Sequence, residues 1–118
     1  MDNREFSKLL EKRTRDFAIR IIKLSTALPN TPEGREIRRQ ISKSGTSIGA
    51  NYREANRARS RADFKSKIKI CQSEASETQY WLEVIIFIFQ QIMCIQVLRE
   101  IIQKTIQFYQ AIITPGQS

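Results

Sequence analysis

Apolar residues recur at spacings of three, four and seven along almost the whole chain. The first such series contains Phe6, Leu10, Phe17, Ile21, Leu24 and Leu28. This spacing puts the apolar side chains on one face of an α-helix and most of the charged residues on the other. A residue that precedes a proline disfavours helical geometry, so Leu28 before Pro29 predicts a helix end. The first helix is therefore predicted over residues 3–28.

A second helix is predicted over residues 32–58. Thr31, Pro32 and Glu33 are typical of a helix start, with an N-cap, a proline at the first helical position and an acid in the first turn. At 100° per residue, one face contains Ile37, Ile41, Ser44, Ile48, Tyr52 and Ala55. Gly45 and Gly49 lie at the edge of this face. Either they let a neighbouring helix approach closely, which we prefer because small residues are common at helix contacts, or they mark a kink or a backbone that faces phosphate.

Two further helices are predicted over residues 61–89 and 94–113. Ser60 and Asp63 fit the capping pattern that opens the third helix. The apolar stripe of that helix contains Phe64, Ile68, Cys71, Ala75, Leu82, Ile86 and Phe89. Gln90-Gln91 is the only polar break before the fourth helix, so the geometry of this connection is left open. The apolar window 81–98 contains Glu83 and three glutamines, which makes membrane insertion unfavourable, and we predict no membrane association.

The third and fourth helices are apolar on more than one face. One face is predicted to pack inside the protomer, and the surplus against a second copy of the chain. The residues predicted at this oligomer interface are Trp81, Val84, Ile88, Val97, Ile101 and Phe108. Four helices with short connections predict one all-α domain over residues 1–118, an antiparallel up-down four-helix bundle that forms a homo-oligomer.

The net charge of +8 arises from about one third of the chain. Residues 35–69 contain eleven basic residues against three acids, and the remainder sums to zero. The eleven are Arg35, Arg38, Arg39, Lys43, Arg53, Arg57, Arg59, Arg61, Lys65, Lys67 and Lys69. On the second helix, five of them form a basic stripe opposite the apolar face: Arg35, Arg39, Lys43, Arg53 and Arg57.

Cations along one helix face are suited to neutralising the phosphates of a nucleic acid. The stripe contains no aromatic residue, which argues against stacking on single-stranded bases. We therefore predict binding to the phosphate backbone of RNA or DNA through the eleven basic residues. The alternative is a structural homo-oligomer whose basic face serves only solubility or a protein partner.

The residues that most enzymes use are scarce. The chain contains no histidine, no zinc-binding cysteine pattern and no phosphate-binding glycine loop, so we predict no enzyme activity, no metal and no cofactor. Glu74 and Glu77 are interpreted as solvated acids. Cys71 and Cys94 suit buried thiols in a reducing compartment, and the N-terminus lacks the features of a signal peptide, so a cytoplasmic protein is predicted.

Four short segments carry a resemblance to a known family. They are SGTSIGAN at 44–51, Glu54-Ala55, SRADF at 60–64 and ETQYWL at 77–82. In order and spacing, they resemble the 23S rRNA intervening-sequence four-helix-bundle family. The resemblance implies a small bacterial protein, often encoded within an insertion in a large-subunit rRNA gene, that forms a four-helix bundle and assembles as a homopentamer.

The same residues are similar to the accessory variability proteins of diversity-generating retroelements. Those are basic pentameric bundles that act with a reverse transcriptase and RNA, so the similarity implies a reverse transcriptase as a further partner. After Leu82 the chain departs from the family pattern. It has FIFQQIMCIQ where the family usually has a polar turn with glycine.

Overall fold

The computed structural model describes residues 2–89 together with Lys104 and Gln107. It contains three α-helices, namely α1 at Asn3–Thr26, α2 at Pro32–Asn56 and α3 at Arg61–Phe89. Each end lies within two residues of the bound given above from the sequence. The predicted fourth helix, 94–113, lies outside the described residues except for Lys104 and Gln107, which are both helical. The described part of the chain is all-helical, as predicted.

A side-chain cap begins each of the three helices. Thr31 accepts a hydrogen bond from the backbone N–H of Gly34 at 3.0 Å, and Ser60 accepts one from Asp63 at 3.0 Å. Both caps were expected from the sequence. The third, Asp2, accepts from the N–H of Glu5 at 2.7 Å. These bonds satisfy N–H groups that have no partner within the helix, and thereby fix where each helix starts.

Contacts between the helices run in reverse order along the chain. Asn56, at the end of α2, donates a hydrogen bond to Glu11 in α1, whereas Arg38, near the start of α2, donates one to Ser25 at the end of α1. In the same way α3 meets α2 first at Ile48, through Cys71, and then at Ser44, through Thr78. Each helix is therefore antiparallel to the helix before it.

The core lies between the apolar faces that the sequence predicts. All six residues of the predicted α2 face are buried, and so are Leu10, Phe17, Ile21 and Leu24 of α1 and Leu28 shortly after it. Phe6 and Phe64 are exceptions, because their side chains are 37% and 39% exposed. Both line an apolar groove of about 390 Å³, where α1 begins and α3 begins. Helical periodicity identifies the correct face of each helix, but it does not show where that face ceases to be covered.

The two glycines of α2 lie where α1 crosses most closely. A Cβ atom on Gly45 would lie 2.7 Å from Ile21 Cγ2, and one on Gly49 would lie 3.0 Å from Thr14 Oγ1. Both distances are shorter than ordinary van der Waals contact, and α2 continues through both positions without a break. This confirms the first interpretation of the glycines, which is close helix packing.

A pair of hydroxyl groups joins α2 to α3 inside the core. The Oγ1 of Thr78 lies 2.9 Å from the Oγ of Ser44, and the two hydroxyls are hydrogen-bonded. Each residue is only 1% exposed. A further bond links Thr78 to the carbonyl oxygen of Glu74 at 2.8 Å, so the polar atoms of this pair are satisfied within the apolar interior.

Long apolar helices raise the question of a membrane span. Over residues 2–89, none of the helices is both long enough and apolar enough to cross a lipid bilayer. The mean hydropathy of the chain, −0.41, is also low.

Candidate nucleic-acid interface

The basic stripe of α2 lies on the outer surface of the molecule. All five of its side chains are exposed, and Ile37, Ile41 and Ile48 on the opposite face are buried. Arg35, Arg39, Lys43 and Arg53 belong to α2, whereas the fifth member, Arg57, is the residue that follows the C-terminal end of α2. These cations can contact a ligand without disturbing the core.

Three members of the stripe have a partner within the chain. Arg39 pairs with Glu36 at 2.8 Å, and Arg53 lies 3.7 Å from a carboxylate oxygen of Glu11. Arg35 donates a hydrogen bond to the side-chain oxygen of Asn30 at 3.1 Å. The hydrogen bond from Arg39 lowers the pKa of Glu36 and raises that of Arg39. Because these pairs are exposed to solvent, they are weak, and a polyanion can compete for the arginines.

Arg38 has a different environment, which the sequence does not reveal. Its side chain is half-buried, its Nε donates to the carbonyl oxygen of Ser25 at 2.9 Å, and its second arm donates to that of Leu28 at 2.9 Å. The last carbonyl groups of a helix lack partners within it and carry partial negative charge. The guanidinium of Arg38 therefore closes the C-terminal end of α1.

The basic side chains of the other seven predicted cations form no ion pair or hydrogen bond with the residues that the structure describes. They are Lys43, Arg57, Arg59, Arg61, Lys65, Lys67 and Lys69. Lys43 has only a longer-range attraction to Glu74. The pKa of Glu74 is raised, first by burial and second by the charge of Glu77, and the attraction to Lys43 opposes both.

The fold divides these cations between two surfaces. Arg61, Lys65 and Lys69 are spaced four residues apart, so they share one face of α3. Glu74 marks the side of α3 that faces α2, since the charge of Lys43 on α2 acts on the pKa of Glu74. At 100° per residue, the face with Arg61, Lys65 and Lys69 points about 140–180° away from Glu74. Lys67 is half-buried on another side of the helix. The basic segment is thus continuous in sequence but not on the surface, and Arg57 and Arg59 lie at the turn between its two parts.

Three cations of α1 also lie beside the α2 stripe. Lys8, Lys12 and Arg15 line a shallow groove of about 450 Å³ between α1 and α2, together with Arg53. Thr46, Gly49 and Ala50 contribute to the α2 side of this groove. Sequence reasoning missed these cations because the charge count pooled all residues outside 35–69, where acids of other segments cancel the excess of basic residues in α1. The signal was their spacing of four and three residues, which puts them on one helix face.

An apolar surface covers the C-terminal half of α3. Tyr80, Phe87 and Ile88 are 57%, 81% and 50% exposed, and Val84 and Glu83 lie between them. Of the interface residues predicted from the sequence, Val84 and Ile88 belong to this surface. Trp81 and Val84 are both partly buried and also pack against the core, and the ring of Trp81 lies 5.0 Å from that of Tyr80. The sequence prediction omitted Tyr80 and Phe87; Val97, Ile101 and Phe108 lie outside the described residues.

The described residues include few groups that could carry out chemistry. Cys71 is buried and not in a disulfide, and burial is the main reason that its pKa is raised to about 11. Such a thiol stays protonated at neutral pH, which makes it a poor nucleophile. Across residues 2–89, no cluster of three or more cysteines or acids is arranged to hold a metal ion.

Comparison with known proteins relates the chain to a described family and to a solved structure. The family model described as 23S rRNA-intervening sequence protein matches residues 9–114. A crystal structure of a protein of unknown function from the S23 ribosomal protein family, from Bacteroides thetaiotaomicron VPI-5482, is 35% identical and superposes with a TM-score of 0.79. That match covers 95% of this chain and 98% of the other. No curated protein is significantly similar to the chain.

Proposed function

We propose that this chain, which belongs to the 23S rRNA-intervening sequence protein family, is a non-catalytic adaptor. It binds the phosphate backbone of RNA or DNA and acts as a homo-oligomer in the cytoplasm. The observation that carries this proposal is the set of seven basic side chains without an acid or hydrogen-bond partner among the described residues. A surface that serves only solubility usually interleaves charges of both signs. A reverse transcriptase as protein partner stays a prediction from the resemblance.

Replacing both Lys43 and Arg57 with glutamine tests this proposal. Each phosphate contact contributes a slope of about −0.7 to −0.9 to the dependence of log affinity on log salt. The double variant should therefore flatten the slope by about two contacts and lower affinity on the order of 30-fold at about 0.1 M salt. The loss should be the same for unrelated sequences, because phosphates carry no sequence information. Fluorescence anisotropy with labelled RNA and DNA measures both quantities.

A matched control removes the same charge from another surface. Arg13 and Arg20 of α1 are exposed and belong neither to the stripe nor to residues 35–69, so replacing both with glutamine also lowers the net charge by two. This variant should keep most of the affinity of the wild-type protein. If Lys43 and Arg57 can be replaced without effect on affinity or salt slope, the stripe is only a solvated face, and the alternative of a structural oligomer is then the better description.

The homo-oligomer part of the proposal depends on the exposed apolar surface of α3. Phe87 is the most exposed of the large apolar side chains named there, at 81%, and contiguous exposed apolar surface commonly marks an interface between proteins. We propose that a second copy covers it, in a ring whose predicted number is five. Phe87→Lys should convert the oligomer to monomer in light scattering, because an ammonium group would be buried without a partner.

A second exposed apolar residue provides the comparison for this variant. Ile19 on α1 is 45% exposed, and Ile19→Lys introduces the same charge on a different face. It should leave the mass of the oligomer unchanged. A wild-type protein that scatters as a monomer at micromolar concentration would contradict the proposed assembly.

A further inference from the structure

We infer that the groove between α1 and α2 holds the backbone of one strand of a nucleic acid duplex, with Lys8, Lys12 and Arg15 of α1 as phosphate ligands. This inference rests on the proposed function and adds to it a location on the surface and three residues outside the basic segment. The groove is lined by four basic side chains and one acid.

The first argument concerns a gap in the α2 stripe. No cation lies between Lys43 and Arg53, which are separated by about 15 Å at the usual rise of 1.5 Å per residue. Within that gap the exposed face of α2 carries the small residues Thr46 and Ala50, and both line the groove. Thr14 of α1 packs against Gly49, so the neighbouring Arg15 lies level with the gap. The cation that α2 lacks at this level is supplied by α1.

The second argument concerns shape. The groove floor contains Ala18, Gly49 and Ala50, and side chains this small allow a sugar–phosphate backbone to approach closely. The hydroxyl of Thr46 donates to the carbonyl oxygen of Ser42 at 2.7 Å, so it adds no unsatisfied polar group to the floor. None of the residues lining the groove is aromatic. Because base stacking on proteins uses aromatic side chains, this surface suits the outside of a duplex better than unpaired bases.

The third argument concerns charge compensation. Glu11 is the one acid among the lining residues, and it accepts a hydrogen bond from Asn56 at 2.9 Å while facing Arg53. Lys12 lies 3.7 Å from Asp16 in an exposed pair. Lys8 and Arg15 have no acid partner in the described part of the chain. Of the three α1 cations that line the groove, Lys8 and Arg15 are therefore the two that a phosphate can contact without displacing an internal partner.

Two variants of the full-length protein test the inference against a short, blunt, fluorescently labelled RNA duplex and its DNA counterpart. Replacing Lys8 and Arg15 with glutamine should lower affinity on the order of 30-fold at about 0.1 M salt, and flatten the salt slope by about two contacts. Ala50→Glu puts a negative charge on the exposed floor and removes no cation, and it should lower affinity at least about tenfold. Ser76→Glu, an exposed site on α3, makes the same charge change outside the groove and should have little effect. Circular dichroism confirms that each variant is folded.

The outcomes separate this inference from the function on which it rests. If the wild-type protein binds the duplexes with a steep salt slope and both groove variants bind equally well, the groove is not the site, although the proposed function stands. If the wild-type protein binds neither duplex at about 50 mM salt, the proposed function fails and the groove site fails with it. If poly-glutamate displaces the duplex as well as an equal charge of unlabelled RNA does, the groove accepts any acidic chain. That result would overturn a nucleic-acid site.

Discussion

Replacing Gly45 with alanine is expected to lower the free energy of unfolding by about 2 kcal/mol. In an exposed helix the same substitution stabilises by roughly 1 kcal/mol, because alanine is the better helix former. Here the new Cβ would lie 2.7 Å from Ile21 Cγ2 and 3.0 Å from Ile21 Cβ. Ile21 is fully buried, and its Cβ cannot move away by a change of rotamer. The α1–α2 contact must therefore open, and the loss of packing outweighs the gain in helix propensity.

A double-mutant cycle with Ile21→Ala isolates this contact. Ile21→Ala alone should cost about 2–5 kcal/mol through the cavity that it leaves. In that background most of the cost of the Gly45→Ala substitution should disappear, because the two γ-carbons nearest the new Cβ are gone, whereas the Cβ of residue 21 remains about 3.0 Å away. Denaturant unfolding should be measured at one fixed protein concentration, since assembly adds to apparent stability. If Gly45→Ala destabilises equally in both backgrounds, Ile21 is not the cause.

Arg38→Ala is expected to lower the free energy of unfolding by about 3 kcal/mol. The substitution removes two charge-assisted hydrogen bonds, both 2.9 Å long, to carbonyl groups at the end of α1. Ser25 and Leu28 are both buried, so their carbonyl oxygens each lose a partner where water has little access. Arg38→Lys keeps the charge but not the two-armed guanidinium, so we expect it to restore only part of the stability.

The comparison with Arg39 separates this structural role from a binding role. Arg39 is the neighbouring residue and pairs only with the exposed Glu36, so Arg39→Ala should change stability little. The folded Arg38→Ala protein should bind nucleic acid with nearly the affinity of the wild-type protein. Its loss of affinity should be smaller than that of the Lys43 and Arg57 double variant. Unchanged stability together with a large loss of affinity would mean that Arg38 contacts the ligand, as its place in the basic segment first suggested.

Periodicity in the sequence was sufficient to predict the three described helices and their buried faces. A residue such as Ile41 or Ile48 repeats with the helix, and the side of the helix follows from spacing alone. Arg38 could not be placed in this way. Its partners, Ser25 and Leu28, lie across the α1–α2 connection, and helical spacing carries no information about how a loop brings two helix ends together.

The candidate site was predicted only in part, for a related reason. A charge count along the chain assigns every excess cation to residues 35–69, because the rest of the chain sums to zero. The helix α1 has seven basic residues against three acids, but acids in other segments cancel its excess in that sum. On the surface, Lys8 and Arg15 lie across a groove from Arg53, whereas Lys65 and Lys69 lie on another side of α3. Which cations act together depends on the packing of one helix against the next, and that packing is not visible in a count along the chain.

The hydroxyl pair between Ser44 and Thr78 sets the axial alignment of α2 and α3. Aliphatic side chains along two long helices can interlock about equally well after one helix slides by a turn, or about 5.4 Å. Such a slide would break the hydrogen bond between Thr78 and Ser44 in a nearly dry interior. Thr78 would keep only its bond to the carbonyl oxygen of Glu74, and Ser44 only a weak one, 3.4 Å long, to that of Ile41. The loss of one buried hydrogen bond lowers stability by about 1 kcal/mol. The shifted alignment is therefore less stable than the observed one, because it lacks the hydrogen bond between the two hydroxyls. Hydrophobic contacts alone would leave several alignments nearly equal in energy, and this bond favours one of them.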